Sequence, residues 1–395
     1  MCVYDRFCSI LKGVFRMTDV ALLRTVLADE RELIYFADAG HTLSDPPADT
    51  RDLPPRPGSH AGDTESAGST MRYDPLRGDW VAFAAHRQTR IYLPPTDLCP
   101  ICPTRPGHAT EIPAADYDVA VFENRFPSFG PEPAPVDLSP GLGAVRPAAG
   151  RCEVIVFGSN HEASLSDMSI ERMRTIVAAW AQRTADLRAM EGVEQVFAFE
   201  NRGAEIGVTL HHPHGQIYAY PFVTPTTRIL LAQAAEHRAR TGGNLFADIL
   251  DCELSSGERI LERGEYFTAF VPFSARMPIE VHLYPNRHVG TLDELTATER
   301  DELADMYLRL VRGIDALYGD RTPYISAWFQ APSTHPDRAE ARLHLQITSP
   351  RRAADKLKYL AGSEAAMGAF IGDVIPEETA ARLRATTPYV EGARA

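Results

Sequence analysis

No run of apolar residues in this chain approaches the roughly eighteen that a bilayer-crossing helix needs. The opening segment, Met1 to Met17, is broken by Asp5, Arg6, Lys12 and Arg16 and has no small-residue cleavage site. Neither a membrane span nor a secretion signal is expected. Basic residues are also in short supply, 40 against 53 acids for a formal charge of −13. A general affinity for nucleic acid or anionic membrane is therefore disfavoured, while a local basic pocket for a phosphorylated small molecule stays open. Cysteine is sparse: six in 395 residues do not make a dense disulfide framework, and the close pair Cys99 and Cys102 points to a reducing compartment, so a cytoplasmic protein is expected. What the chain does have is ordinary globular composition, 44% hydrophobic and 24% charged, which excludes a wholly disordered, collagenous or coiled-coil chain. Its length suits roughly two to three domains or one large duplicated one.

His41 to Thr70 holds five Pro, three Gly, four Ser and four Thr without apolar periodicity, and reads as a mobile, disordered connector. Before it, Arg31 to Asp38 has the composition of an edge strand. The first sixteen residues read as dispensable, since Met17 can itself begin the chain, and Gly130 to Gly150 reads as a Pro/Gly-rich surface loop. Self-comparison is more informative. Glu153-Val-Ile-Val-Phe-Gly-Ser-Asn-His161 lines up without gaps on Glu280-Val-His-Leu-Tyr-Pro-Asn-Arg-His288. Each run reads as strand, turn, histidine, and each is followed by an amphipathic helix with apolar positions at Ile170, Met173, Ile176, Val177, Trp180 and Leu187, or at Leu303, Met306, Leu310, Ile314 and Leu317. The second helix opens with the capping pattern Thr296-x-x-Glu299. Strand pairs follow, Gln195 to Glu200 with Ile217 to Tyr220, then Tyr324 to Phe329 with Leu343 to Thr348. The chain is therefore expected to be α+β, with duplicated half-barrel units of mostly antiparallel sheet and flanking helices. Residues 1–71 form an N-terminal extension with one strand and a disordered linker, 72–224 a catalytic half, and 225–395 a degenerate second half.

The densest cluster of reactive groups is His211-His212-Pro213-His214-Gly215-Gln216. In an extended segment His212, His214 and Gln216 project to one side and His211 to the other. An imidazole whose Nδ1–H is held by a carbonyl presents Nε2 as a nucleophile, with Gln216 placed to bond an oxygen of the group attacked and Gly215 leaving room for a phosphoryl group. A metal site or a solvated histidine tract is the competing reading of a bare H-x-H. Upstream, Phe199-Glu200-Asn201-Arg202-Gly203 leads into a turn that can offer Asn201, Arg202 and Thr209 to a phosphate, although a polar turn between strands is the commoner explanation. In Cys99-Pro-Ile-Cys102 each cysteine is followed by a proline, which suits zinc better than redox chemistry; with no second cysteine pair, the remaining ligands must be histidines or carboxylates, His161 and His212 being preferred. A metal-free cysteine pair is the alternative. Arg87 and Arg90, after the strand ending near Ala84, are spaced to close on a diphosphate, or else form a solvated face.

H-P-H-G-Q, preceded by F-E-N-R-G and C-P-I-C and joined to a duplicated half, resembles the galactose-1-phosphate uridylyltransferases of the histidine triad superfamily, over about Arg72 to Arg384, and Leu27 to Asp38 also fits bacterial members. The resemblance implies that each half has a histidine-triad-like fold. It implies that the second histidine of the motif, His214, attacks the α-phosphorus of a UDP-hexose, with the His212 carbonyl orienting its ring and Gln216 binding the phosphoryl group. It implies zinc, as a closed structural site, at Cys99, Cys102, His161 and His212. Nucleotide contacts would fall on Phe122, Asn124 and Asn201, a phosphate-side contact on Thr209, loop arginines on Arg87 and Arg90, and the hexose end on Lys358, Gly362, Ser363 and Glu364. UMP would pass between UDP-glucose and galactose 1-phosphate, giving glucose 1-phosphate and UDP-galactose, in a homodimer whose active sites draw on both chains, without nucleic-acid or membrane partners.

Three departures from the family pattern bear on specificity. Val223 to Leu231 has no acid, Phe329 follows the tryptophan, and only His344 survives of the H-x-H pair in the second half, so the iron site of some members is not expected. Arg125 stands where many members have an aspartate, and Ser363 where they have tyrosine. Related enzymes with the same core transfer adenylyl groups, so an ADP-sugar phosphorylase or adenylyltransferase is the alternative reading. A zinc-stabilised nucleotide-binding module without turnover is a third.

Overall fold

The computed structural model describes residues 14–17, 20–53, 69–89, 94–131 and 141–386. In chain order the first strands are β1 (Val14–Met17), β2 (Val20–Val26), β3 (Glu32–Ala37), β4 (Thr70–Asp74), β5 (Asp79–Phe83), β6 (Val119–Glu123), β7 (Val145–Pro147) and β8 (Arg151–Val156). Then follow α1 (Ile170–Arg188), β9 (Gln195–Arg202), β10 (His214–Tyr220), α2 (Pro225–Thr241), α3 (Leu245–Ser256), β11 (Ile260–Arg263), β12 (Phe267–Phe270), β13 (Ile279–Pro285), α4 (Ala297–Ala316), β14 (Tyr324–Phe329) and β15 (His344–Ser349). The chain divides into two compact units, Met1–Ala163 with His212–Pro221, and Ser164–His211 with Phe222–Ala395. The α+β class read from the sequence is the observed one: antiparallel sheet dominates, with few helices.

In the first unit the strand order is β1-β2-β3-β6-β8-β10, every pairing antiparallel. Arg31 to Asp38 is not an edge strand, because β3 bonds to β2 on one side and β6 on the other. It is accordingly buried on both faces, Leu33, Ile34, Tyr35, Phe36 and Ala37 all being core. Sequence pattern missed β1 and β2; the β2–β3 connection, Leu27 to Arg31, has neither Gly nor Asn and closes by Leu27 N–H to the Arg31 carbonyl, with Glu30 itself at φ 66°. Of the sixteen residues read as dispensable, 1–13 lie outside the described residues, while 14–16 belong to β1. The first part of the expected connector is pinned: Asp49 accepts from the Ala28 amide at 3.0 Å, and Arg51 pairs with Asp49 and Glu111. Within the expected 130–150 loop, β7 pairs with β4 in a small sheet, β5-β4-β7. Gly150, at φ 146°, lets the chain turn from β7 into β8, where a Cβ would sit 2.5 Å from the Ala219 carbonyl oxygen.

The second unit has the order β9-β14-β15-β13-β12-β11. α1 begins at Ser169, which accepts from the Arg172 amide at 3.1 Å, and α4 has the expected capping box, with the Thr296 hydroxyl on the Glu299 amide and Glu299 returning to the Thr296 amide at 2.7 Å. The two helices pack through Trp180, whose ring stacks on Tyr307 at 5.9 Å and leans on Trp328 at 6.1 Å, all three fully buried.

A buried charged network ties β9 to β14. Tyr324 donates to Glu200 Oε2 at 2.8 Å, Arg202 lies over the Tyr324 ring at 4.2 Å, and Asp315 and the Thr322 carbonyl take the Arg202 guanidinium. Arg202 is thus an internal strut and not the phosphate donor read from the turn. Burial pushes the Glu200 carboxyl up to about 7, against the lowering pull of Arg202. A raised carboxyl favours the folded state while it is protonated, so its contribution is complete below the ordinary value near 4.5 and is lost as pH rises through 7. Glu200→Gln, which stays neutral, should gain stability relative to the parent at pH 8 and lose that advantage at pH 5, as read by urea denaturation at the two pH values.

Candidate active site

The site is built where β10 leaves the loop that precedes it. Side chains along β10 alternate, with Gly215, Ile217 and Ala219 buried and His214, Gln216, Tyr218 and Tyr220 half-buried on the opposite face. The expected row of His212, His214 and Gln216 is shortened: the strand begins only at His214, and the bend at His212 and Pro213 turns the His212 ring into the interior, where it is fully buried. Proline has no amide to give the sheet, but its carbonyl accepts from Phe157 N, tying the bend to the end of β8.

Each histidine is fixed by its own polar partners. His212 Nε2 lies 2.7 Å from the Gly158 carbonyl oxygen and 3.3 Å from the Tyr117 hydroxyl, so Nε2 carries the proton and Nδ1 faces the cysteines. Burial lowers the His212 ring to about 4, which keeps it neutral. His214 Nδ1 lies 2.7 Å from the His212 carbonyl oxygen. A neutral ring so held donates from Nδ1 and leaves the Nε2 lone pair outward; burial lowers its pKa, with the bond to the His212 carbonyl pulling the other way.

Cys99, Cys102, His161 and His212 come together with their ligand atoms all within 4.8 Å of one another, a group that can hold a metal ion. Cys102 Sγ is 3.4 Å from His161 Nδ1 and 3.3 Å from His212 Nδ1, and Cys99 Sγ is 3.9 Å from His212 Nδ1. Burial and the neighbouring Cys99 push the Cys102 thiol up to about 12. The cysteine loop is closed by Thr104 N–H to the Ile112 carbonyl and by the Thr110 hydroxyl to the Cys102 carbonyl at 2.6 Å. Tyr117, which donates to the Ile101 carbonyl at 2.8 Å as well as touching His212, links this loop to the motif and carries no signal in the sequence.

The other positions fall as follows. Phe122 is buried in β6 opposite Val154. Asn124 accepts from the Phe126 amide at 2.9 Å, shaping the turn after β6. Arg87 reaches Ser128 Oγ at 2.7 Å, and Arg90 lies outside the described residues. Asn201, in β9, and Thr209, in the loop beyond it, belong to the second unit, as does the hexose segment. There Lys358 Nζ is 3.5 Å from Glu364 and 3.6 Å from Asp373, Ser363 donates to the Ala369 carbonyl at 2.8 Å, and Gly362 opens a short helical turn.

The second unit holds a histidine tethered in a similar way. His344 Nδ1 lies 2.8 Å from the Arg342 carbonyl oxygen, and its Nε2 is 3.2 Å from Gln346. Its ring is buried and stacked on Phe329 at 4.8 Å.

The galactose-1-phosphate uridyl transferase N-terminal domain matches residues 60–224, and the C-terminal domain of the same family matches 231–393. The chain belongs to this family. The galactose-1-phosphate uridylyltransferase of Streptomyces lividans is 43% identical over 376 residues, which span 91% of this chain and 96% of that protein. That of Thermotoga maritima is 37% identical over 318 residues, 80% and 98% of the two chains. A solved uridylyltransferase superposes with a TM-score of 0.71 at 33% identity, covering 80% of this chain and 98% of that one. An ADP-glucose phosphorylase from Arabidopsis thaliana, solved with bound ADP-glucose, shares the fold at 22% identity and a TM-score of 0.60 over the same shares. Among the described residues no helix is long and apolar enough to cross a membrane.

The cysteine loop of this chain is held at Glu111 by two arginines, the deeper of them Arg31. Arg31, wholly inaccessible, gives its Nε to Asp29 at 2.8 Å, Nη1 to the Glu123 carbonyl at 2.8 Å and Nη2 to Glu111 at 2.5 Å. Glu111 in turn closes the loop through its amide to the Pro100 carbonyl. Arg31→Ala removes this donor from Asp29 and the Glu123 carbonyl, Glu111 keeping Arg51 at 2.9 Å, and should lower the free energy of unfolding by about 3 kcal/mol, measured by denaturant titration.

Proposed function

We propose that the protein moves UMP between UDP-glucose and galactose 1-phosphate by double displacement, with His214 as the nucleophile. The observation that carries this is the 2.7 Å bond from His214 Nδ1 to the His212 carbonyl, which fixes the tautomer whose Nε2 can attack phosphorus. In the first step Nε2 bonds to the α-phosphorus of UDP-glucose and the bond to the glucose 1-phosphate oxygen breaks. In the second, a phosphate oxygen of galactose 1-phosphate takes the UMP group and the P–N bond breaks, releasing UDP-galactose. Charge is redistributed among phosphate oxygens, and no oxidant or reductant is needed. Gln216 donates to a phosphoryl oxygen, Arg87, Arg90 and Thr209 serve the phosphates, Phe122, Asn124 and Asn201 the nucleoside, and Lys358, Gly362, Ser363 and Glu364 the hexose. Residues 72–224 act as the catalytic histidine-triad-like half and 225–395 as the degenerate one.

Zinc is the metal the four-residue group suits. Tetrahedral zinc with two sulfur and two nitrogen ligands spaces its donors about 3.4–3.8 Å apart, close to the 3.3, 3.4 and 3.9 Å found here. Four protein donors leave no coordination place for water, so zinc would supply stability and orientation of the His212 bend in place of Lewis-acid chemistry. Free cysteines support a reducing, cytoplasmic setting. Exposed Tyr359, Leu360, Met367, Ile371 and Ile375 on one segment support a homodimer.

Incubation with labelled UDP-glucose should leave an acid-labile, base-stable label on the protein, and ADP-glucose should leave far less; the reverse preference would move the activity to adenylyl transfer. His214→Gly should lose transfer by about a thousandfold or more with metal content unchanged. For the metal, elemental analysis should find one zinc per chain in the parent and none in the Cys99→Ser, Cys102→Ser variant, whose melting temperature should fall by several degrees.

A further inference from the structure

The β10 row does not end at Gln216. Its next member, Tyr218, places its hydroxyl 3.2 Å from Gln216 Oε1. The same hydroxyl is 3.5 Å from Arg87 Nη1, whose firmer bond is to Ser128 Oγ at 2.7 Å. The direction of this chain is set by chemistry. A guanidinium only donates, and the Ser128 hydroxyl, itself accepting from Arg87, donates to the same phenol oxygen, so the single Tyr218 proton is left for Gln216. That proton requires the carbonyl end of the Gln216 amide. The NH2 end is thereby left for whatever lies in front of the strand.

Two further observations hold Tyr218 in place. Its ring meets Phe129 at 6.3 Å and Tyr220 at 5.8 Å, and these two meet each other at 5.2 Å, a three-ring cluster that fixes the hydroxyl laterally. Burial raises the Tyr218 phenol above its ordinary value, so it remains a donor throughout the neutral range.

We infer that Tyr218 is a positioning residue for transfer: held by Arg87 and the ring cluster, it fixes the Gln216 amide with its NH2 toward the phosphoryl group. This rests on the reading of His214 and Gln216 given above. An amide free to flip would present its carbonyl oxygen to an anionic phosphoryl group half the time, and the donor would have to be reoriented as charge develops on the phosphoryl oxygens.

The test is single-turnover labelling of the protein by UDP-glucose, in the parent, Tyr218→Phe, Gln216→Ala and the double variant. Tyr218→Phe keeps the ring cluster and removes one oxygen. Labelling should slow about tenfold at saturating UDP-glucose, the equivalent of one hydrogen bond, with the half-saturating concentration changed less than about threefold. The double variant should be no slower than Gln216→Ala alone, because Tyr218 acts only through that amide. An unslowed Tyr218→Phe, or a double variant about tenfold slower than Gln216→Ala, overturns the positioning role while leaving the transfer reading intact. Absence of label on the parent overturns the transfer reading and this role with it.

Discussion

Everything in the candidate site hangs on the way one residue, His212, is used in three directions at once. Its Nε2–H goes to the Gly158 carbonyl, its Nδ1 faces the two thiols, and its backbone carbonyl receives the Nδ1–H of His214. A buried imidazole is worth its burial only when both nitrogens have partners. Here the same requirement decides the tautomer of the ring, the path of the chain and the orientation of the next histidine. The bend at Pro213 follows from this: a straight strand would have put both rings on one face, and the His212 ring could not then reach inward to the cysteines.

Buried charge does comparable work within each of the two units. Arg31 binds the turn after β2, the end of β6 and the cysteine loop into one body. Glu200 and Arg202, with Tyr324 and Asp315, lock β9 against β14. Such groups are costly to bury, and their cost is offset only in one arrangement of partners. They therefore hold register at places where apolar packing alone would tolerate a slip.

Much of this was legible in the sequence, for identifiable reasons. Most strands with β-branched, alternating residues and the two helices with 3.6-residue periodicity emerged within a residue or two, as with Tyr324–Phe329 and the Thr296 cap, whereas β10 begins at His214, three residues before the Ile217 expected. The four residues grouped around Cys99 stood out because a lone C-x-x-C must look elsewhere for partners. What escaped had no local signal. β2 is joined to β3 through a turn without glycine. The interior position of β3 depends on β6, about ninety residues away. Arg202 and Tyr117 have roles set by partners distant in sequence, Thr322 and Asp315 in one case and the Ile101 carbonyl and His212 in the other. Side-chain alternation pointed to His212 and His214 as neighbours on one face, and it failed at the one position where proline interrupts the strand.

The tether on His214 recurs on His344, whose Nδ1 meets the carbonyl two residues before it in the same manner. Such a tether needs only a tripeptide of local chain, so it outlives the surroundings that would make it useful. In the second unit the histidine keeps the same tautomer, yet it is buried and Phe329 lies flat against its ring. A histidine can thus keep the tether that fixes its tautomer while a neighbouring ring covers it. The tether alone does not make a working site, and counting such sites requires asking what stands in front of each ring.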